Sequence, residues 1–561
     1  MPFQSRYNDI TVPHDITVWE YAFENARYSP LMRSPGEQMA GFVNAQTGQR
    51  LSYRDVKTHA SHLCTALVRN CGLRVGHTMT IFSPNSIWYP VAMFAVLKAG
   101  GRVNGASPSY SAQEMAHALR TAGTDFIVTI PEALPTVMEA AEAVKLPRNR
   151  ILLLEGEAAG LTTIESLRRD GERYGTDAQH DFHRIQRGSN GDLCGFLAFS
   201  SGTTGLPKAV MLSHRNMISQ CEQLRDVAGH HRKTFLASLP CFHISGLVRF
   251  LNWPIISNEE VIMLSKFTME AFLQAIQKYR VTDLTLVPSI VVRLVRDSQV
   301  SKYDLSSVKV IACGAAPVGQ EILTELQRQM PWTGFRQSWG MTESCCSLTT
   351  HPPEFYDYKY ANNAGMLIAS TIVKVQDLAT GKELGPGETG ELFAKGPQVA
   401  MGYLDNPEET AATFQSDGYL RTGDVGRVDE MGFVHIVDRL KEMIKVKGLQ
   451  VAPAELEDTL LASPDVDDCA VLGISDETTE RPKAYVVLKA GIEPNEAVGR
   501  RVMQFVKDRK IAYKWLEEVE FTDVIPKSPS GKILRRVLQD QHRGGRRGVV
   551  VVARPSAVPK L

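Results

Sequence analysis

Over roughly its first two-thirds the chain alternates short apolar runs with amphipathic stretches, and that alternation restricts its fold more than any other feature. Thr78-Met79-Thr80-Ile81-Phe82 reads as a strand, and residues 91–97 follow as an apolar helix. Ser111 and Glu114 have the spacing of a capping box, in which each side chain satisfies a backbone N–H of the other, so a helix is expected to open there. Residues 125–130 read as the next strand, and the pattern returns at 284–287 and 308–312. Parallel strands need a crossover, usually a helix, so the expectation is parallel βαβ sheets covered by helices.

At 561 residues the chain exceeds what one hydrophobic core supports, so two or more domains are expected. After about residue 360 the texture changes. Gly365, Gly381, Gly390, Gly402, Gly418, Gly426 and Gly432 punctuate short β-type runs, which predicts an antiparallel, barrel-like region. A compact α+β segment follows. The fold class is therefore α/β with an α+β multidomain layout. A large N-terminal domain, 1–440, carries parallel sheets and the barrel-like subdomain; a small mobile domain spans 441–540, and 541–561 is a flexible tail. Lysine plus arginine and aspartate plus glutamate number 62 each, and the net charge of zero gives no reason to expect a nucleic-acid partner. Nine scattered cysteines without a CxxC spacing argue against a disulfide framework or metal knuckle and for a reducing compartment. The first residues lack the apolar run of a secretory signal, and no run approaches the ~20 residues of a membrane span. A soluble intracellular protein without a transmembrane segment is expected.

The stretch Ser200-Ser201-Gly202-Thr203-Thr204-Gly205-Leu206-Pro207-Lys208 follows the apolar run Phe196-Leu197-Ala198-Phe199. Glycines let a main chain approach an anion, hydroxyls donate to phosphate oxygens, and lysine adds a mobile charge. The stretch does not fit a Walker A loop. On its own chemistry it is an anion cradle or a plain turn, and both readings stay open. Three further segments carry chemistry: Gln337-Ser338-Trp339-Gly340-Met341-Thr342-Glu343, Tyr419-Leu420-Arg421-Thr422-Gly423-Asp424, and the connector from Asp438 and Arg439 through Lys441 and Lys445 to Gly448. A fourth, Pro526-Lys527-Ser528-Pro529-Ser530-Gly531-Lys532, places a lysine after a glycine-containing loop.

Together, in this order, these segments resemble the adenylate-forming superfamily, in its acyl-CoA synthetase and 4-coumarate–CoA ligase-like branch. The resemblance implies ATP-dependent activation of a carboxylic acid to an acyl-adenylate, then transfer to coenzyme A, with ATP, Mg2+ and coenzyme A as cofactor and co-substrates. It implies that Ser200, Ser201, Gly202, Thr203, Thr204, Gly205 and Lys208 hold the β- and γ-phosphates, although Ala209 stands where glycine is usual. Trp339, where tyrosine is commoner, would lie beside adenine and Gly314, Ala315 and Ala316 on its other side, with Gln337 and Gly340 also at the cofactor site. Thr342 would contact phosphate, Glu343 the metal, Asp424 both ribose hydroxyls, and Arg439 the ribose or phosphate. Lys532 would bridge the substrate carboxylate and the α-phosphate, with Thr342 and Arg439 beside it as catalytic groups. Lys441 matches the hinge, while Lys445 and Gly448 match the segment that faces the site in the second half-reaction. His243, Ser245, Ser289, Gly314, Gly340, Cys345 and Cys346 would wall the acid pocket; Ser245, where 4-coumarate ligases carry tyrosine, puts a hydroxycinnamate substrate in doubt.

The implied partners are small molecules: a carboxylic acid, ATP and coenzyme A. An adenylating enzyme that loads a carrier-protein pantetheine is the alternative, with a luciferase-like oxygenase or a degenerate scaffold behind it. Pro559-Lys560-Leu561 resembles a Ser-Lys-Leu peroxisomal address, so import into peroxisomes is expected, with the cytoplasm as the other location. The acid and the oligomeric state are left open.

Overall fold

Residues 78–82 form the strand expected of them, Thr78–Phe82, buried along its whole length. It pairs in parallel with Arg102–Ala106 on one side and Thr124–Thr129 on the other. All ten residues of the intervening helix Tyr89–Lys98 are buried, so it reads as a solid apolar run with no polar stripe. The capping box forms as predicted, with Ser111 accepting from the Glu114 N–H and the Glu114 carboxylate accepting from the Ser111 N–H at 2.8 Å. The computed structural model describes residues 2–34, 36, 38–175, 189–201, 207–229, 231–446, 449–476, 479–528, 531–545 and 548–553.

Two large sheets carry most of the chain. One has eight strands, in the order Gly402–Tyr403, Pro207–Ser213, Cys194–Ser201, Arg102–Ala106, Thr78–Phe82, Thr124–Thr129, Ile151–Leu153 and Thr162–Thr163. It is parallel except where Cys194–Ser201 pairs back against Pro207–Ser213 and Gly402–Tyr403 closes that edge. The second has seven strands, Gly334–Gln337, Val310–Cys313, Asp283–Leu286, Thr234–Ala237, Glu260–Met263, Gly41–Asn44 and Arg50–Ser52, parallel except for the last pair. Helices such as Tyr53–Cys71 and Met269–Tyr279 bury one face against a core that joins both sheets.

The glycine-punctuated region is a five-stranded antiparallel sheet: Phe3–Gln4, Ile372–Gln376, Gly390–Lys395, Leu420–Val428 and Val434–Arg439. Its first strand comes from the other end of the chain, which glycine spacing could not indicate. From Ile444 a hairpin, Ile444–Val446 with Leu449–Val451, leads into a four-stranded sheet of Val466–Asp476, Thr479–Leu488, Glu518–Phe521 and Val550–Val552, with its own core. The expected flexible tail from 541 needs correction here. Val550–Val552 is an edge strand antiparallel to Glu518–Phe521, because Val551 is an apolar side chain that buries against Gly499.

The C-terminal sheet and its helices sit against the large sheets through a few close contacts. A Cβ on Gly319 would lie 1.6 Å from Asp458 Oδ1, and one on Gly531 would lie 2.7 Å from Val287 Cγ2. Arg296 donates from Nη2 to the Leu461 carbonyl at 3.0 Å and from Nη1 to the Asp467 carbonyl at 3.2 Å. Arg535 ties the C-terminal helix to the connector, donating to Glu442 and, twice, to Glu457.

Candidate active site

Asp424 and Arg439 face each other as register partners on adjacent antiparallel strands. Arg439 Nε lies 2.8 Å from Asp424 Oδ1, and Trp339 Nε1 donates to Oδ2 at 2.7 Å. Both carboxylate oxygens are thus held, and Asp424 is only 4% exposed. The neighbouring Asp424 charge raises the Arg439 pKa, which keeps the guanidinium charged. Trp339 packs with Leu348, Leu367 and Val373. It is therefore a core residue and a polar partner of the site at once.

Thr342 and Glu343 lie in the 3-10 turn Thr342–Ser344, and both are buried. Tyr403 donates its hydroxyl to Glu343 Oε1 at 2.9 Å, and the Glu343 carbonyl accepts from the Ala400 N–H at 2.9 Å. Desolvation, with the Glu343 charge beside it, pushes the Tyr403 pKa up, so the phenol stays a donor. The Lys208 ammonium stands 5.1 Å from the centre of the Tyr403 ring and forms an ion pair with Glu409. Ser200, its register partner across the ladder, has a buried Oγ without a hydrogen-bond partner among the described residues. Gly202, Thr203, Thr204 and Gly205 lie outside the described residues, as do Gly448 and Pro559-Lys560-Leu561; the Ser201 side chain is not described either.

Lys532 comes from the C-terminal unit and is half-buried beside this cluster. A bridge between Lys527 and Ile533 pins its loop, where the Lys532 N–H donates to Ser528 Oγ at 3.1 Å. Burial lowers its pKa to about 8, Arg439 pushes in the same direction, and Asp424, Glu343 and Glu442 oppose the shift. His243 lies close enough to feel that ammonium. Desolvation first, and Lys532 second, lower its pKa to about 4, so the imidazole is neutral. His243 Nδ1 accepts from the Ser245 N–H at 3.3 Å, so the ring proton sits on Nε2. Lys441 is exposed, and its pKa is lowered by partial desolvation and by Arg439 and Lys208. Lys445 is exposed on its hairpin and away from this cluster; its N–H donates to Glu480 at 2.7 Å.

Gly340 is required by packing, since a Cβ there would lie 1.8 Å from the Cys346 carbonyl oxygen. Cys345 and Cys346 follow with φ of 48° and 101°, so the chain turns sharply at this wall. Burial pushes the Cys345 thiol up, which leaves it an uncharged, inert lining group. Around Gly314 there is room, for a Cβ would meet nothing closer than Ser338 Oγ at 3.6 Å; Ala315 and Ala316 beyond it are exposed. Ser289 is half-buried at the start of the helix Pro288–Arg296. Gln337 is turned inward: its amide donates to the Ala361 carbonyl and accepts from the Val318 N–H at 3.0 Å. Tyr403, Glu409, Glu442 and Arg535 were missed in the sequence. Tyr403 sits 60 residues from Glu343 in a two-residue strand, which offers no periodic signal.

A family model described as AMP-binding enzyme matches residues 33–404, and one described as AMP-binding enzyme C-terminal domain matches residues 455–532. The chain belongs to the AMP-binding enzyme family. This AMP-binding enzyme is 37% identical to the peroxisomal OPC-8:0-CoA ligase 1 of Arabidopsis thaliana, over 89% of each chain. It is 32% identical to 4-coumarate-CoA ligase 1 of Narcissus pseudonarcissus, over 96% of each. The ATP-bound crystal structure of MatB from Rhodopseudomonas palustris superposes with a TM-score of 0.80 at 26% identity, covering 94% of this chain and 99% of that one. The chain falls in the acyl-CoA synthetase branch and is an AMP-forming acid–CoA ligase. It activates a carboxylic acid with ATP and transfers the acyl group to coenzyme A.

Proposed function

We propose that the cluster of Asp424, Arg439, Glu343 and Lys532 is the adenylation centre, in the arrangement that serves the first half-reaction. The observation that carries this reading is that the half-buried Lys532, from the C-terminal unit, stands within electrostatic reach of Arg439, Asp424 and Glu343 of the large domain. In that step a carboxylate oxygen attacks the α-phosphorus of ATP, the bond to the bridging oxygen breaks, and pyrophosphate leaves with the electron pair. Negative charge crowds the acid and the α-phosphate, and the Lys532 ammonium and Thr342 hydroxyl are placed to offset it. Asp424 takes the ribose hydroxyls, Trp339 and Gly340 face adenine opposite Gly314, Ala315 and Ala316, and residues 200–208 hold the β- and γ-phosphates. The unpartnered Ser200 Oγ supports that last role. Gln337 acts from behind, by fixing the turn at Val318.

Glu343 suits a hard cation, as a buried carboxylate with one oxygen on a phenol. No group of three His, Cys, Asp or Glu that could hold a metal stands among the described residues. Glu343 would hold Mg2+ together with nucleotide oxygens and water, and the ion would neutralise phosphate charge. In the second half-reaction the coenzyme A sulfur attacks the acyl carbon, and the bond to AMP breaks. For this the C-terminal unit, from 441 to about 540, turns about Lys441 and brings Lys445 and Gly448 to the site that Lys532 leaves. His243, Ser245, Ser289, Cys345 and Cys346 wall the acid pocket. The peroxisomal relative supports a peroxisomal location.

Lys532→Ala is expected to lower pyrophosphate release by 100-fold or more, about 2.7 kcal/mol. The same variant should still convert supplied acyl-adenylate to thioester. Adenylation at a near-normal rate in this variant would sink the assignment.

A further inference from the structure

Six residues beyond His243, on the helical run Leu247–Asn252, Arg249 lies 4% exposed. That run has π-type hydrogen bonding, a distortion that recurs at functional sites. The guanidinium donates to Ser347 Oγ at 2.9 Å and reaches the Cys346 thiol, the residues that continue the pocket wall from Cys345. Arg336, on the strand leading to Gln337 and Trp339, is also 4% exposed and near enough to oppose Arg249's charge. Its Nη1 donates to the Tyr356 hydroxyl at 3.1 Å, and its Nε has no partner among the described residues. Neither arginine forms an ion pair with a carboxylate of the described residues. The other buried cations among the described residues follow a different rule: Lys483 has Glu518 and Glu520, Lys233 has Glu259, Lys374 has Asp417 and Lys98 has Glu24.

Two buried like charges, with hydroxyls, a thiol and the Tyr356 ring for company among the described residues, lack the counter-charge that normally accompanies such groups. A planar guanidinium matches a carboxylate through two parallel hydrogen bonds, and dry surroundings strengthen that match. We propose that Arg249, backed by Arg336, receives a second carboxylate at the far end of the acid, so that the enzyme's substrates are dicarboxylic acids. The reacting carboxylate lies at Lys532 and the other at the Cys346–Ser347 wall. Acids with an apolar far end leave both arginines unpaired and are selected against. The proposal rests on the assignment of His243, Ser245 and Cys345 to the acid pocket.

The test measures kcat/KM for pyrophosphate release with α,ω-dicarboxylic acids and with monocarboxylic acids of equal chain length. At the best length the diacid is expected to be preferred at least tenfold. Arg249→Met should erase that preference by raising KM for the diacid, and Arg249→Lys should keep part of it. A wild-type enzyme that prefers the monocarboxylic acid at every length overturns the proposal, as does an Arg249→Met variant with an unchanged ratio. Should Arg249→Met fail to fold, the wild-type ratio and Arg336→Gln decide. Ser245→Phe separates the two layers. If it leaves chain-length preference untouched, the pocket assignment is at fault. If it shifts chain-length preference while diacids are still not preferred, the Arg249 role alone is wrong.

Discussion

An ammonium taken out of water and set between cations and carboxylates becomes a stronger acid than one in solvent. Lys532 is that case, with its pKa brought to about 8 by burial first and by Arg439 next. The charged form that offsets developing charge is present below that pH and lost above it. In the free enzyme, kcat/KM for adenylation is therefore expected to fall as pH rises through about 8. Lys532→Arg, slower but unable to titrate in that range, should show no such limb. An identical alkaline limb in both proteins would assign it to another group. At this scale the sequence marked Glu343, Asp424 and Lys532 through motif order alone. The contacts that fix them were hidden by distance along the chain: Trp339 and Asp424 are 85 residues apart, and Lys208 and Glu409 are 201 apart. Arg249 sits in an apolar helical run where nothing local distinguishes it from a surface arginine.

Elements bounded by strong local chemistry were legible. Ser111 with Glu114 announced its helix, and the solid apolar runs became the central parallel strands. Two-residue strands such as Phe3–Gln4 and Gly402–Tyr403 are too short to show a period, and they exist only because a longer strand offers them an edge. The contact between the helices Gln320–Gln329 and Pro453–Leu461 was equally silent, since it joins elements from two domains. Gly319, at the start of the first, has φ −64°, so any residue could adopt its backbone and only space is at issue. Asp458 takes that space. Gly319→Leu is expected to hold the C-terminal unit off the site, lowering adenylation about tenfold, or about 1.4 kcal/mol. Thioester formation from supplied acyl-adenylate should be spared. Equal loss in both half-reactions would mean that the substitution damages the large domain itself.

For the molecule as a whole, the division into parallel sheets, an antiparallel region and a C-terminal α+β unit could be read from length, run spacing and glycine punctuation. What could not be read is which distant segments complete each sheet, because strand pairing is decided by burial across the whole fold. The run around Val551 shows this: polar and glycine-rich neighbours suggested a loose tail, yet Val551 is buried beside Gly499. Val551→Asp should cost the C-terminal unit about 2–3 kcal/mol, through lost apolar burial and a charge placed in the core. Urea unfolding followed at Trp515 would check it, and an unchanged midpoint would show that the strand contributes nothing. Phe3–Gln4 and Val550–Val552 each close the edge of a sheet that would otherwise present open backbone donors and acceptors. Trimming either segment therefore does more than shorten the chain. It uncovers a template for intermolecular strand addition, so the first symptom of damage at these edges is self-association, ahead of any loss of chemistry at the distant site.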